Sequence, residues 1–291
     1  MKNRNMSIIA NVVLSLAVII CVVPFVFLIS SSLTSEMSLI KNGYNFWPNE
    51  FSTYAYEYLW RNSKRIIQAY SMTVITTVIG VVIGLSITTM FAYVISRKDF
   101  PLRKVLSFMV FFTMLFNGGL VPTYILYTNF WGIKNTLLGQ IIPALLMNGF
   151  FVMIMRAYFS NNLPLEILES ARVDGAGEIG TFFKIVVPLS LPILATVGLF
   201  IAVNYWNDWY NGLIYITDSK LFTMQNFLNR LINDMKMLAT MGDAGGGVTS
   251  IMPTASVRMA IAVIAVLPIL IAYPFFQKYF IKGIAIGGVK G

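Results

Sequence analysis

The chain has 291 residues, 57% hydrophobic and only 11% charged, where a soluble domain carries about 25% charged residues, so an ordinary soluble globule is excluded and a membrane protein is indicated. The net charge of +9 is scattered through short stretches without a long basic stripe, which argues against nucleic acid as a partner. One cysteine, Cys21, excludes an internal disulfide, and the absence of histidine removes the commonest general base and the commonest metal ligand.

Six charge-free runs of at least 19 residues follow one another along the chain, and about 20 helical residues cross a hydrocarbon core. A charge at the centre of such a helix costs about 2.5–3.5 kcal/mol on insertion scales, so the runs predict membrane spans. Inside a bilayer, only helices let such a run satisfy its own backbone groups. The pattern therefore predicts an all-α integral membrane protein. Residues 1–6 form a short cytosolic N-terminus, and spans follow at about 7–33, 68–96, 105–128, 135–158, 188–209 and 257–277. The first run is too long for a removed signal peptide and lacks a small-residue cleavage site.

Placing the N-terminus in the cytosol puts 12 lysines and arginines in 57 inside residues and nine in 82 outside. That bias, clearest in the tight loop RKDFPLRK at 97–104, sets both termini of a multi-pass membrane protein in the cytosol. The first outer loop, 36–65, carries Tyr44, Phe46, Trp47 and Pro48, which serve either an interfacial aromatic belt or a docking surface for an external partner. The third span is interrupted at Asn117-Gly118-Gly119 and Pro122, and such breaks need a neighbour to satisfy the freed backbone, so this span is expected to face protein or a water-filled path. Pro268 and Pro274 make the same argument, more weakly, for the sixth span. The outer loop 208–258 holds Gly245-Gly246-Gly247 and is expected to be mobile.

Between spans 4 and 5 lies a polar insert, 160–188, with Glu166, Glu169 and Asp174 in nine residues. Asn162 is expected to cap a helix that carries Pro164 in its early turn. Leu163, Ile167 and Ala171 stack at i, i+4, i+8. Asp174 and Gly175 then stop the helix, since glycine adopts positive φ without penalty. Glu178 falls in the first turn of a second short helix, where a negative charge suits the dipole, and Pro188 ends it.

The insert resembles the signature loop of ABC importer permeases, E-A-A, three residues, Gly, nine residues, I-x-L-P. Here it reads Glu169-Ser170-Ala171, Gly175, then Ile185-Val186-Val187-Pro188, with Ser170 in place of alanine and Val187 in place of leucine. Asp174 and Ala176 complete the longer form. Phe116-Asn117-Gly118-Gly119-Leu120-Val121-Pro122-Thr123-Tyr124 is similar to the third-span motif of carbohydrate-type permeases of the maltose-importer class. So are Tyr205-Trp206-Asn207-Asp208-Trp209, the run from Tyr273 to Phe280 and the tail 283–291. Within that class the chain is similar to the subgroup serving complex oligosaccharides.

The resemblance implies a type I ABC importer permease fold whose insert forms cytosolic coupling helices on an ATPase. Glu169 would pair with the ATPase, Ala171 would make the close contact, Gly175 the turn and Asp174 its brace, with Ser170, Ala176, Phe182 and Pro188 completing the segment. It also implies as partners a second permease, in a heterodimer rather than a homodimer, two cytosolic ATPases, and a solute-binding protein outside that is often lipid-anchored. The substrate would be a sugar or oligosaccharide, with a non-sugar solute as the alternative and a membrane protein-interaction subunit without transport activity as the lesser one. The chain would bind no cofactor or metal; ATP and Mg belong to the ATPases, since no G-x-x-x-x-G-K-[ST] loop occurs here. Candidates for the sugar path, which needs aromatic faces and amides, are Asn117, Tyr124, Asn148, Asn204, Tyr205, Trp206 and Asn207. Trp206 and Trp209 fit an interfacial belt equally well. A membrane-embedded enzyme would need an intramembrane acid, base, nucleophile or metal set, and none of the six runs contains a charge or a histidine.

Overall fold

A computed structural model describes residues 4–61, 63–242 and 255–287, which form helices joined by turns, with one isolated bridge between Thr34 and Phe51. In chain order these are α1 (Arg4–Ser32), α2 (Glu36–Asn42), α3 (Tyr54–Arg61), α4 (Ser63–Ser96), α5 (Arg103–Leu115), α6 (Leu120–Ile125) and α7 (Leu138–Ile141). They continue as α8 (Gly149–Asn162), α9 (Leu165–Val173), α10 (Glu178–Thr181), α11 (Val187–Leu189), α12 (Leu191–Trp206), α13 (Tyr210–Tyr215), α14 (Met224–Gly242) and α15 (Ala255–Gly287). The glycine run at 245–247 and the last four residues of the tail lie outside the described residues.

The chain divides into two units. One comprises residues 1–67 and 227–271. In it α1 is apolar on every side and leaves most of its large side chains exposed from Met6 to Ile29, as a helix meant for lipid or another protein does. The Glu36 carboxylate accepts from the Ala255 and Ser256 N–H groups at 2.9 and 3.0 Å and from the Ser256 hydroxyl at 2.8 Å. It thereby satisfies donors that the start of α15 would leave orphaned, with a charge that suits the dipole. Trp47, between α2 and α3, and Trp60 of α3 are each 82% exposed.

The other unit comprises 68–226 and 272–291. Its core joins Ala92, Tyr93 and Ile95 of α4, Val152, Met155 and Phe159 of α8, Phe182 and Val186 of the insert, and Val197, Ile201 and Tyr205 of α12. The α4–α12 crossing is close because Gly80 has no side chain; a Cβ there would lie 2.4 Å from the Tyr205 ring.

Two described helices are long and apolar enough to cross a membrane singly, Met6–Ser32 and Ser63–Ser96. Two bent pairs add to them: Arg103–Leu115 with Leu120–Phe130, turned by 114°, and Glu178–Leu189 with Leu191–Trp206, turned by 83°. The expected break at Asn117-Gly118-Gly119 thus falls where α5 ends and α6 begins. Continuous helix over 135–158 is not found. Only Leu138–Ile141 and then Gly149–Asn162 are helical, and Ala144 between them has φ of 61°. Pro143 explains it, since proline supplies no N–H and disfavours helix at the residue before it. The carbonyls freed by this break are taken by side chains: Tyr205 OH donates to Ile141 O and Asn211 Nδ2 to Pro143 O, both at 2.9 Å. α15 spans the sixth predicted run whole and passes through Pro268 and Pro274.

Candidate functional site

The first helix of the insert begins two residues later than its sequence suggests, at Leu165 with Pro164 in the cap position. Asn162 is the last residue of α8, not the cap of the next helix, and its amide donates to Tyr158 O at 3.0 Å. Pro164, extended at φ −65° and ψ 126°, precedes the first turn of α9. α9 closes on a Schellman motif: Gly175 N donates to Arg172 O at 3.0 Å, and Ala176 N reaches back to Ala171 O at 2.9 Å. The motif requires its pivot in the left-handed region, and Gly175 sits there at φ 78°. Glu178 opens α10, which continues through a π-turn at Phe182–Val186 into α11.

Burial sorts the signature residues into two groups. Ala171 and Phe182 are each 7% exposed and pack within this chain, Phe182 with its ring 5.4 Å from that of Tyr93. Glu169, Ser170, Asp174, Gly175, Ala176 and Pro188 are exposed. So are Val173 at 86%, Ile179 at 76% and Phe183 at 54%. These three large apolar side chains are exposed on the insert, Phe183 with its ring edge-on to that of Phe182 at 5.0 Å, and no sequence periodicity marks them.

The second feature missed by sequence reasoning is a ring of four charges joining the insert to the 97–104 loop. Arg97 Nε donates to Asp99 Oδ1 at 3.0 Å and its Nη2 to Asp99 Oδ2 at 2.5 Å. Its Nη1 donates to Glu178 Oε2. Arg172 Nη2 donates to Asp99 Oδ2 at 2.8 Å and to Glu178 Oε1 at 3.0 Å. Charges alternate around the ring, so every neighbour attracts. The Arg97 guanidinium donating to Asp99 holds its carboxyl below the ordinary carboxylate range. A cleft of about 600 Å³ lies beside the ring, lined also by Met90, Val94, Phe100, Ile179 and Phe183.

The residues proposed for a sugar path have mixed placements. Asn117 is exposed and its Oδ1 accepts from Gly119 N at 2.9 Å. Asn148 accepts from Phe150 N at 2.9 Å and so caps α8. Tyr124 is half-buried, stacked 6.0 Å from Tyr215, with Lys134 Nζ 3.2 Å from its hydroxyl. Asn204 and Asn207 are exposed at the end of α12, and Asn207 Oδ1 accepts from Gln225 Nε2 at 3.4 Å. Trp206 is half-buried, its ring 6.4 Å from Tyr70. Tyr205 is 2% exposed and engaged with Ile141, so its side chain faces the protein interior.

A family model described as "Binding-protein-dependent transport system inner membrane component" matches residues 80–286. The chain is 36% identical over 292 residues to the polygalacturonan/rhamnogalacturonan transport system permease protein YtcP of Bacillus subtilis, covering 100% of both chains. It is 28% identical over 276 residues to the arabinooligosaccharides transport system permease protein AraQ of Halalkalibacterium halodurans, covering 94% of this chain and 92% of that one. Among solved structures, it superposes with a TM-score of 0.80 and 28% identity on a chain from a bacterial ABC transporter involved in the import of the acidic polysaccharide alginate, covering 96% of this chain and 97% of that one.

Proposed function

The chain belongs to the family of binding-protein-dependent transport system inner membrane components, and from that premise we propose that it is one of two permeases of an ATP-driven importer for sugars or oligosaccharides. Polygalacturonan and alginate, named for a relative and for a structural neighbour, favour an acidic oligosaccharide among these.

The observation that carries the proposal is the insert itself. It offers Glu169 with the exposed apolar side chains of Val173, Ile179 and Phe183 around a polar turn. Apolar side chains fill a partner's groove, and the flanking carboxylate fixes register across the interface. The partner we assign is a cytosolic ATPase, present twice, which carries ATP and Mg. Closure of the two ATPases around ATP draws the docked insert with them. The spans then move between inward-open and outward-open states, because ATP binds one state better than the other. A second, non-identical permease completes the path, and a solute-binding protein delivers the glycan from outside. Six spans with both termini in the cytosol place 160–188 on the ATPase side. Asn117, Tyr124, Asn204, Trp206 and Asn207 line the path, while Tyr205 braces it.

The test is a tagged purification from the native membrane in mild detergent, with co-purifying chains identified. An ATPase and a second permease are expected. A folded chain recovered without any ATPase would overturn the proposal, and recovery with a binding protein that holds a non-sugar solute would replace the substrate.

A further inference from the structure

Resting on the reading of 160–188 as the segment moved by the ATPases, we infer that the four-charge ring of Arg97, Asp99, Arg172 and Glu178 is a positioning device that transmits that movement to α4 through the 97–104 loop. Along the chain the insert is joined to α8 through the extended Leu163-Pro164 link and to α12 through the 83° bend at Ser190. Neither connection fixes the insert's angle to α4. The ring does. Asp99 and Arg97 lie immediately beyond the end of α4, and Arg172 and Glu178 stand on either side of the Gly175 turn. Each arginine bonds both carboxylates, so the loop and both arms of the turn are locked at once. Beneath the ring, Phe182 packs against Tyr93 of α4, and Arg97 lies over that same Tyr93 ring at 5.8 Å. The charged and aromatic contacts thus couple the same two elements.

The two arginines do different work, and that gives the inference its signature. Arg97 uses three nitrogens on three carboxylate oxygens, a fork that a lysine ammonium has no means to reproduce. Arg172 makes both its bonds through one nitrogen, Nη2, which an ammonium can replace. Net charge is unchanged in either variant. A role in bulk electrostatics or topology would treat the two alike.

The experiment reconstitutes the complete importer, with its own ATPases, second permease and binding protein, and measures glycan taken up per ATP hydrolysed. Wild type, Arg97→Lys, Arg172→Lys, Asp99→Asn and, as a control in the same loop, Lys98→Gln are compared, with ATPase content checked in each. Arg97→Lys and Asp99→Asn are expected to lower the ratio at least threefold with the ATPases still bound. Arg172→Lys and Lys98→Gln are expected to stay within twofold of wild type. Wild-type ratios in both Arg97→Lys and Asp99→Asn, or equal losses at 97 and 172, would overturn the inference while leaving the importer reading intact. Should Arg97→Lys fail to assemble, Asp99→Asn decides by the same limits. A wild-type complex that hydrolyses ATP without any uptake would overturn the importer reading, and this inference with it.

Discussion

Gly175 shows how one residue's backbone fixes a functional turn. Its φ of 78° puts Gly175→Ala at a cost of about 1–2 kcal/mol, although a Cβ there meets nothing within 4 Å. Gly175→Ala is therefore expected to lower the midpoint of thermal unfolding measurably, whereas Gly118→Ala, at a glycine with equally open space and no positive φ, is expected to leave it unchanged. Asp99 carries a pH prediction. Its folded pKa is depressed, chiefly by the hydrogen bond from Arg97, so its stabilisation is fully present above the ordinary carboxylate value of about 3.9 and is lost as pH falls through the lower folded value. The stability difference between wild type and Asp99→Asn should accordingly be flat from pH 5 to pH 8 in a thermal-shift series; a step within that window would contradict the depressed pKa. Gly175, Asp174 and Glu178 were legible in the sequence because turn and helix-start chemistry is local. The partners of Glu178 were not, because Arg97 lies 81 residues away and no periodicity reports a contact at that separation.

Elements follow the same division. Apolar runs without charge located α1, α4 and α15 well, since hydropathy decides whether a helix can sit in lipid. The glycines and Pro122 located the end of α5. Pro143 carried the same information for the fourth run, where the sequence reading looked only for charge and so expected an unbroken helix. The break is tolerated because Tyr205 and Asn211 occupy the freed carbonyls, which gives Tyr205 a structural task that its place in a carbohydrate-type motif concealed. Two substitutions test this packing. Tyr205→Phe orphans the Ile141 carbonyl and should cost about 1–3 kcal/mol. Gly80→Ala forces a methyl against the Tyr205 ring and should cost about 1–3 kcal/mol by overpacking. If the two act through one contact, the double variant's loss of thermal stability will be smaller than the sum of the single losses. Additive losses would separate the Gly80 crossing from the Tyr205 bond.

At the scale of the whole molecule, the signature residues, the charge ring and every path candidate fall in the unit made of 68–226 and 272–291. The unit made of 1–67 and 227–271 contributes exposed apolar α1 and the exposed Trp47 and Trp60, surfaces suited to lipid and to partner chains. Family and general chemistry were readable from the spacing around Glu169 and Gly175, while the direction in which the insert's side chains point was not. Ala171 and Phe182 turn inward and Val173, Ile179 and Phe183 outward, and for Phe182 that choice depends on Tyr93 of α4, against which its ring packs. The central claim is that this insert converts ATP hydrolysis on partner subunits into passage of a glycan. It is tested most directly by ATP-driven uptake of a uronate oligosaccharide into proteoliposomes holding the complete importer, with wild type beside Glu169→Lys. Uptake is expected in wild type and is expected to fall to background in Glu169→Lys, with the variant chain still folded in the membrane; uptake by Glu169→Lys at the wild-type rate would contradict the claim.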